Sequence, residues 1–513
     1  MKVNQLKLGS ILSYGQMFLG IIIGMVYTPM MIRLLGQSEY GLYNTVASTI
    51  SMLSVLSLGF NSSYIRYFSE YKHRNNQDAI DRLNGLFILI FAIIGVVALA
   101  CGLFLAYNLE LVFGQGLTQQ EYAIARILMV LLSVNLGLSF PMSVFTSIIS
   151  AHERYVVLKL LGMLKTVAGP LVTLPLLMLG YGSVALVSVT LAISVVTDLI
   201  YYFYVRKKLH CHFVFHGFER GLFGRLLVFT SFIAINLIVD QINTNIPKFL
   251  LGRFQGTASV AIYSVSYSLY QYYVMFSTSI SGVFAPRVHR LVQSTANDPK
   301  TQRSRITELF AKVGRIQFAV LGLIATGLIF FGRPFIAIWA GAGYEDSYAL
   351  ALLLILPATV ALMQNIGIEV QRALNKHKFR SLTYIFMALL NLSVSIWLCQ
   401  IYGAVGAAIG TAVSLIVANG LIMNIYYHLQ CQVDVLHFWK QILRMSLGML
   451  PALAVGIAMN LLLDLSPAKT MLAGIGVYAV VYCAGMWLIG FNRYEKDLLR
   501  KPLKKILGRS AGE

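Results

Sequence analysis

The sequence predicts an all-α polytopic membrane protein of about 14 transmembrane helices: two six-helix lobes in a pseudo-twofold arrangement, plus two C-terminal helices. Three observations predict it. The 513 residues are 58% hydrophobic and 12% charged, against about 25% charged in a soluble domain, and mean hydropathy is +0.73. Apolar runs near the ~20 residues that span a ~30 Å hydrocarbon core recur from end to end. Short matches also repeat in one order at a spacing of roughly 220 residues.

The first two runs form the hairpin around which the rest is organised. An uncharged run at 11–32 is followed by a second at 42–65, which carries Asn44, Ser48, Thr49, Ser51, Ser54 and Ser57. Between them the chain reads Pro29-Met-Met-Ile-Arg33-Leu-Leu-Gly36-Gln-Ser-Glu-Tyr40-Gly41. Gly36 and Gly41 permit a tight turn, and Pro29 loosens the first helix near its exit. Arg33 sits where a cation can snorkel to headgroups or meet a ligand. The first run exceeds a signal-peptide core and has no small-residue cleavage site after it, so it is expected to be retained.

Pro29-x-x-x-Arg33-x-Leu35-Gly36, then Tyr40-Gly41, then Leu58-Gly59 and Arg66-Tyr67, resembles the opening of bacterial polysaccharide flippases. These Wzx-type transporters of lipid-linked oligosaccharides share a superfamily with multidrug exporters and lipid II flippases. The resemblance implies a lipid-linked oligosaccharide as substrate.

Twelve further runs follow at 83–107, 127–148, 157–178, 183–204, 226–246, 260–283, 316–331 (or on to Trp339), 349–368, 381–400, 403–427, 442–462 and 471–490. Alternate connections then divide the basic residues unequally. Of the 40 Lys and Arg, 33 fall on the side of the N-terminus, 6 on the other, and Lys165 lies inside a helix. This bias places both termini in the cytoplasm of a bacterial inner membrane. It also accounts for the net charge of +20 without a nucleic-acid partner. The segments 206–225 and 286–315 read as large, polar, basic inner loops, whereas outer connections are too short for a domain.

The repeat pairs Leu34-Leu35-Gly36 with Leu250-Leu251-Gly252, Tyr155 with Phe379, and Tyr181-Gly182 with Tyr402-Gly403. A six-helix unit keeps its orientation, so the expected lobes are 1–215 and 216–432, with the substrate site between them. Residues 433–491 add two helices, and 492–513 form a basic cytoplasmic tail. That tail, around Lys496-Asp-Leu-Leu-Arg500, reads as amphipathic and suited to anionic membrane lipids.

An ionisable group inside a membrane helix costs about 2.5–3.5 kcal/mol on insertion scales, so each needs a reason. The seventh run places Asn236, Asp240, Asn243 and Thr244 on one face, flanked by Gln241 and Lys248, with Pro247 expected to bend the helix. That face either lines a hydrophilic cavity or bonds helices together. Lys165 either neutralises a diphosphate or snorkels, and Asp198 is its candidate partner. Arg33 and Arg66 complete the cationic candidates. Tyr263, Tyr267 and Tyr270 on the eighth run suit sugar rings, and equally suit plain packing. Glu369 reads as reaching the interface, toward Arg372 or Lys376. His210, Cys211, His212 and His216 lack metal-ligand spacing and read as part of a solvated loop.

The 5 cysteines are scattered, so no disulfide framework is expected. There is no G-x-x-x-x-G-K-[ST] loop and no recognised catalytic motif. The expected activity is therefore transport rather than catalysis, with no cofactor. Energy would come from a proton or sodium gradient or the membrane potential, with Asp240 and Asp198 as candidate coupling sites. Polysaccharide polymerases and glycosyltransferases are expected functional partners. A multidrug exporter should have a more acidic cavity. A lipid II flippase should carry an arginine inside the first helix. A membrane-embedded polymerase or ligase should have a large outer loop.

Overall fold

A computed structural model describes residues 5–114, 117–218 and 221–506. Lys2, Arg220, Arg509 and the tail beyond Ile506 lie outside the described residues. The regular structure of the described residues is helical throughout, with no strand. In hydrocarbon every backbone N–H and C=O needs a partner, and a helix supplies them within one segment.

The chain divides into two compact units. One comprises Met1–Val265 with Ala388–Gly410, the other Ser266–Met387 with Thr411–Glu513. The helices, in order, are α1 (Gln5–Met52), α2 (Phe60–His73), α3 (Gln77–Tyr107), the short α4 (Glu110–Phe113), α5 (Gln119–Ala151), α6 (Tyr155–Met178), α7 (Gly182–Lys207) and α8 (Leu222–Phe254). Then come α9 (Thr257–Ser294), α10 (Pro299–Trp339), α11 (Ser347–Met363), α12 (Ile366–Ala373), α13 (His377–Leu415), α14 (Met423–Leu429), α15 (Val435–Ser446), α16 (Leu450–Leu462), α17 (Ala468–Gly485) and α18 (Arg493–Ile506).

Among the described residues, 9 helices are long and apolar enough to cross a membrane, or up to 11 if two bent pairs each count as one span. Two of the nine, Leu8–His73 and Lys378–Leu429, merge helices across a glycine, at Gly36 (φ 74°) and Gly403 (φ 56°). The long helix α9 is too polar to qualify. The fourteen apolar runs fall on these helices, apart from the breaks at Leu58–Gly59 and Gln364–Asn365. The second passage is interrupted by the left-handed pair Leu58 (φ 47°) and Gly59 (φ 73°), where one continuous run was expected. The run near Gly332 is unbroken: α10 continues to Trp339.

The repeat reappears in backbone conformation. Gly182 (φ 63°) and Gly403 (φ 56°) are both left-handed at turns between helices, 221 residues apart. Glu153 (φ 59°) and Asn375 (φ 56°) are left-handed just before α6 and α13. Gly36 and Gly252 are not alike in this way. Gly36 kinks the chain, whereas Gly252 is helical and packs on Thr45, whose Cγ2 would lie 2.4 Å from an added Cβ.

In the first unit the core is an aromatic stack. Tyr64 meets Phe87 edge-on at 5.2 Å, and its hydroxyl donates to Asn84 Oδ1 at 2.6 Å. Asn84 Nδ2 donates in turn to the His212 carbonyl at 3.0 Å, and Val214 N–H to the Asp81 carbonyl at 3.0 Å. The His210–His216 segment is a loop with its three histidines exposed, as expected, but it is tied down. It lies against α3 with Cys211 buried, because the amide of Asn84 captures its backbone.

In the second unit, 286–315 is not a loop. Helix α9 runs to Ser294 and α10 starts at Pro299, capped by Asp298, whose carboxylate accepts from the N–H groups of Lys300 and Thr301. Its charged residues lie at helical spacing, which a reading by polarity alone takes for loop. The segment ends on Arg315, buried with Glu495 at 4% exposure each. Arg315 Nε donates to Glu495 Oε1 at 2.7 Å and Nη2 to Oε2 at 3.0 Å. Nη2 also donates to the Gly490 carbonyl at 2.9 Å, and Nη1 to the Gln441 carbonyl at 3.2 Å. One side chain thus joins α10, α15, the end of α17 and α18.

Removing one partner of a buried pair strands the other, at a cost of roughly 3–5 kcal/mol. Glu495→Ala should therefore lower the thermal midpoint of the detergent-purified protein markedly, followed by circular dichroism. Arg315→Met combined with Glu495→Leu should recover most of the loss. An unchanged midpoint for Glu495→Ala would show that the clamp contributes little.

Candidate functional site

The kink at Gly36 is held by two carboxylates. Gly36 has φ 74° and ψ 171°, a conformation open to glycine at little cost. Just beyond it, Glu39 Oε1 accepts from Ser183 N–H and Oγ–H, both at 2.6 Å, at the start of α7. Glu121, in the first turn of α5, receives the hydroxyl of Ser38 and that of Thr257 at 3.4 Å. Its other oxygen closes a capping box with Thr118. Gly41 lies so close to α9 that a Cβ would stand 1.9 Å from the Thr257 carbonyl. The segment after the kink is thereby tied to the first turns of α5, α7 and α9. Arg33, one turn before the kink, and Arg66 on α2 are both exposed.

Glu121 lies ahead of the apolar stretch of α5, which begins at Ile127. Burial opposes its ionisation, but hydrogen bonds from Ser38, Thr118 and Thr257 outweigh it and hold the carboxyl below its ordinary value of 4.5.

The polar stripe of α8 splits into two functions. Asn243 Oδ1 accepts from Asn391 Nδ2 at 2.9 Å, and Asn391 Oδ1 accepts from the buried Ser395 at 2.9 Å. That part bonds α8 to α13. Gln241 accepts from Asn245 one turn on, at 2.5 Å. Asn236 and Asp240 are exposed, while Thr244 and Lys248 are half-buried. Helix α8 bends by 46° between Val228 and Ile233, and Pro247 sits buried further along it.

Lys165 on α6 donates to Ser194 Oγ at 2.9 Å. Asp198 lies one turn from Ser194 on α7, within electrostatic reach of Lys165. The two charges sit together: Lys165 is exposed and Asp198 half-buried. Tyr263 is fully buried. Tyr267 and Tyr270 pair with ring centroids 5.6 Å apart, and Gln271 Nε2 donates to Tyr267 Oη at 2.6 Å. Glu369 takes Arg372 Nη1 at 2.7 Å, as its spacing suggested. The predicted residues thus form separate clusters, on α8 with α13, on α6 with α7, and on α9.

Sequence reasoning missed Glu39, Glu121 and Asn391. The Thr118-x-x-Glu121 capping pattern was readable. Nothing in the apolar run around Asn391 marked it as a partner of Asn243.

A family profile described as Polysaccharide biosynthesis protein matches residues 7–292. The chain belongs to that family. A relative from Shigella flexneri named "Putative O-antigen transporter" is 19% identical over 418 residues, covering 78% of this chain and 92% of the relative. The solved structure of the lipid II flippase MurJ, in an inward closed conformation, matches with a TM-score of 0.71 at 17% identity, over 96% of this chain and 99% of that one. An inward-facing multidrug resistance MATE family transporter of the MOP superfamily matches with a TM-score of 0.56 at 15% identity, over 83% and 99%. The fold is that of these membrane transporters, and the protein is multi-pass. The resemblance read around Gly36 lies within the matched residues.

The lowered carboxyl of Glu121 sets a pH dependence. Its contribution to stability is full above the ordinary carboxylate value and is lost as pH falls through the lowered one. Between pH 6 and roughly pH 3, the wild type should lose more thermal stability than Glu121→Gln, which has no such charge to lose. Parallel pH profiles for the two proteins would remove Glu121 as an anchor of the kink.

Proposed function

We propose that this polysaccharide biosynthesis family member is a flippase. It translocates a lipid-linked oligosaccharide, one polysaccharide repeat unit, from the inner to the outer leaflet of the bacterial cytoplasmic membrane. Family membership in a chain with a transporter fold carries the reading. A sugar diphosphate headgroup loses its hydration in hydrocarbon and cannot cross unaided. Side chains along its path must replace that water. Arg33, Arg66, Lys165 and Lys248 offer positive charge to phosphates, and they outnumber Asp198 and Asp240. This balance favours an anionic substrate over the organic cations of a multidrug exporter. Tyr267, Tyr270 and Gln271 offer ring faces and hydrogen bonds suited to sugars.

Alternating access of the lobes 1–215 and 216–432 would expose the path to each side in turn. The same reading puts both termini in the cytoplasm and α18 on the inner leaflet. There Lys496 and Arg500 lie over the Trp487 ring, at 5.9 and 5.1 Å. Polysaccharide polymerases and glycosyltransferases are its functional partners. Asp240, exposed on α8, serves as a proton or sodium site that resets the empty carrier. One elementary charge moved through 100 mV is worth about 2.3 kcal/mol, so the membrane potential is the alternative drive.

Reconstituted vesicles test this with a lipid-linked oligosaccharide labelled on its sugar and quenched by a membrane-impermeant reagent. Wild-type vesicles should exchange the label between leaflets faster than protein-free ones. Lys165→Ala should abolish the difference and Lys165→Arg partly restore it. Asp240→Asn should bind the substrate yet lose its response to an imposed pH or sodium gradient. Exchange no faster than in protein-free vesicles would overturn the flippase reading, and a wild-type gradient response by Asp240→Asn would move the coupling elsewhere.

Orientation has its own check. Ser304 is exposed on α10, so a cysteine placed there should react with an impermeant maleimide only after cells are opened. Labelling of intact cells would reverse the topology.

A further inference from the structure

The second unit contains a small cavity of about 120 Å³, its wall part aliphatic and part polar. Tyr270 of α9 lines it, with Gln364 and Asn365 at the α11–α12 break, Arg380 and Tyr384 of α13, and Asn419. We propose that this cavity is a phosphate subsite, taking one phosphate of the lipid-linked diphosphate; the inference rests on the flippase reading and deepens it.

Charge comes first. Arg380 is the one cation in the wall, and among the described residues no Asp or Glu lines the cavity. The neighbouring Glu369 is engaged elsewhere, by Arg372 and by His289. Arg380 lies over the Tyr384 ring, 4.5 Å from its centroid, and Nη2 donates to the Tyr384 hydroxyl at 2.5 Å. Among the described residues that is its only hydrogen bond, and a guanidinium has five donors. Having accepted from Arg380, the Tyr384 hydroxyl keeps its own proton to donate. Tyr270 adds another neutral O–H, so the wall is rich in donors.

Rigidity comes next. Gln364 Nε2 donates to Asn424 Oδ1 at 2.8 Å, an oxygen that also accepts from Trp439 Nε1 at 2.9 Å. Asn424 Nδ2 donates to the Asn419 carbonyl at 2.7 Å and the Gly420 carbonyl at 3.0 Å. This buried amide chain braces Ile416–Ile422, a turn of π-helix, and with it Asn419. Such π-turns occur often at functional sites. On the other wall Asn365 Nδ2 donates to Ser281 Oγ at 2.9 Å.

Size comes last. Pockets for drug-sized ligands run to roughly 300–1,000 Å³, so this one suits a single tetrahedral oxyanion and not a sugar chain. A guanidinium with converging O–H donors is the chemistry that recognises phosphate.

The test uses the full chain in phosphatidylcholine nanodiscs, with radiolabelled farnesyl diphosphate as the probe. Arg380→Gln should weaken binding roughly tenfold or more, the scale of one charge-assisted hydrogen bond. Arg380→Lys should lose less. Tyr384→Phe, which keeps the ring and removes only the hydroxyl, should weaken binding severalfold and guards against a folding defect in the arginine variants. Competition by inorganic pyrophosphate would support recognition of the phosphate itself. Displacement of the probe by phosphatidylglycerol in the discs would assign the cavity to bilayer headgroups and overturn the substrate subsite. If the wild type binds farnesyl diphosphate and Arg380→Gln and Tyr384→Phe bind it equally well, the subsite alone is wrong. If the wild type does not bind it, the substrate reading falls, and the subsite with it.

Discussion

Every backbone polar group of a chain in hydrocarbon needs a protein partner, and the rest of the structure follows from that constraint. Long helices satisfy it without help. Wherever a helix is broken, something else must stand in for the lost bonds. Beside the break at Gly36, Glu39 receives the Ser183 N–H in α7's opening turn, and Glu121 holds the hydroxyls of Ser38 and Thr257. Each carboxylate does two jobs, capping a helix and pinning the kink. Placing two anions at helix N-terminal turns also meets the positive end of the helix dipole.

The same constraint sorts the polar side chains. In hydrocarbon an amide is most stable when another amide completes it, and Asn243 with Asn391 and Ser395 forms such a chain across two helices. In the second unit Gln364 plays the same part, joined to Asn424 and through it to Trp439. Lys165 is exposed and donates to Ser194 across α6 and α7.

Outside the apolar zone the constraint relaxes, yet helices continue. Helix α10 starts well before its apolar stretch, and its basic residues ride on helical turns as far as Arg315. There the surface pattern ends, because Arg315 is enclosed by Glu495, Gln441 and Gly490. A buried pair of this kind stabilises little relative to an apolar core, but it fixes which surfaces meet.

The sequence by itself determined the helical class and the turn at Gly36, while Gly41, expected to share that turn, is helical. Hydrophobic length and the freedom of a glycine are local properties, written in consecutive residues such as those around Gly36. It also carried the family resemblance, within the first 67 residues. Only the tertiary structure decided which polar groups bond helices together. Asn243 and Asn391 are 148 positions apart, Asn84 and His212 128, and Arg315 and Glu495 180. Those pairs decided that Asn243 bonds helices together, tied a loop to α3, and made one basic residue among many a clamp. Arg380 shows the same limit: in sequence it is one more positive-inside charge, and only the walls that converge on it make it a site. Pairing over such distances leaves no periodicity to read, since each partner is set by where the helices pack.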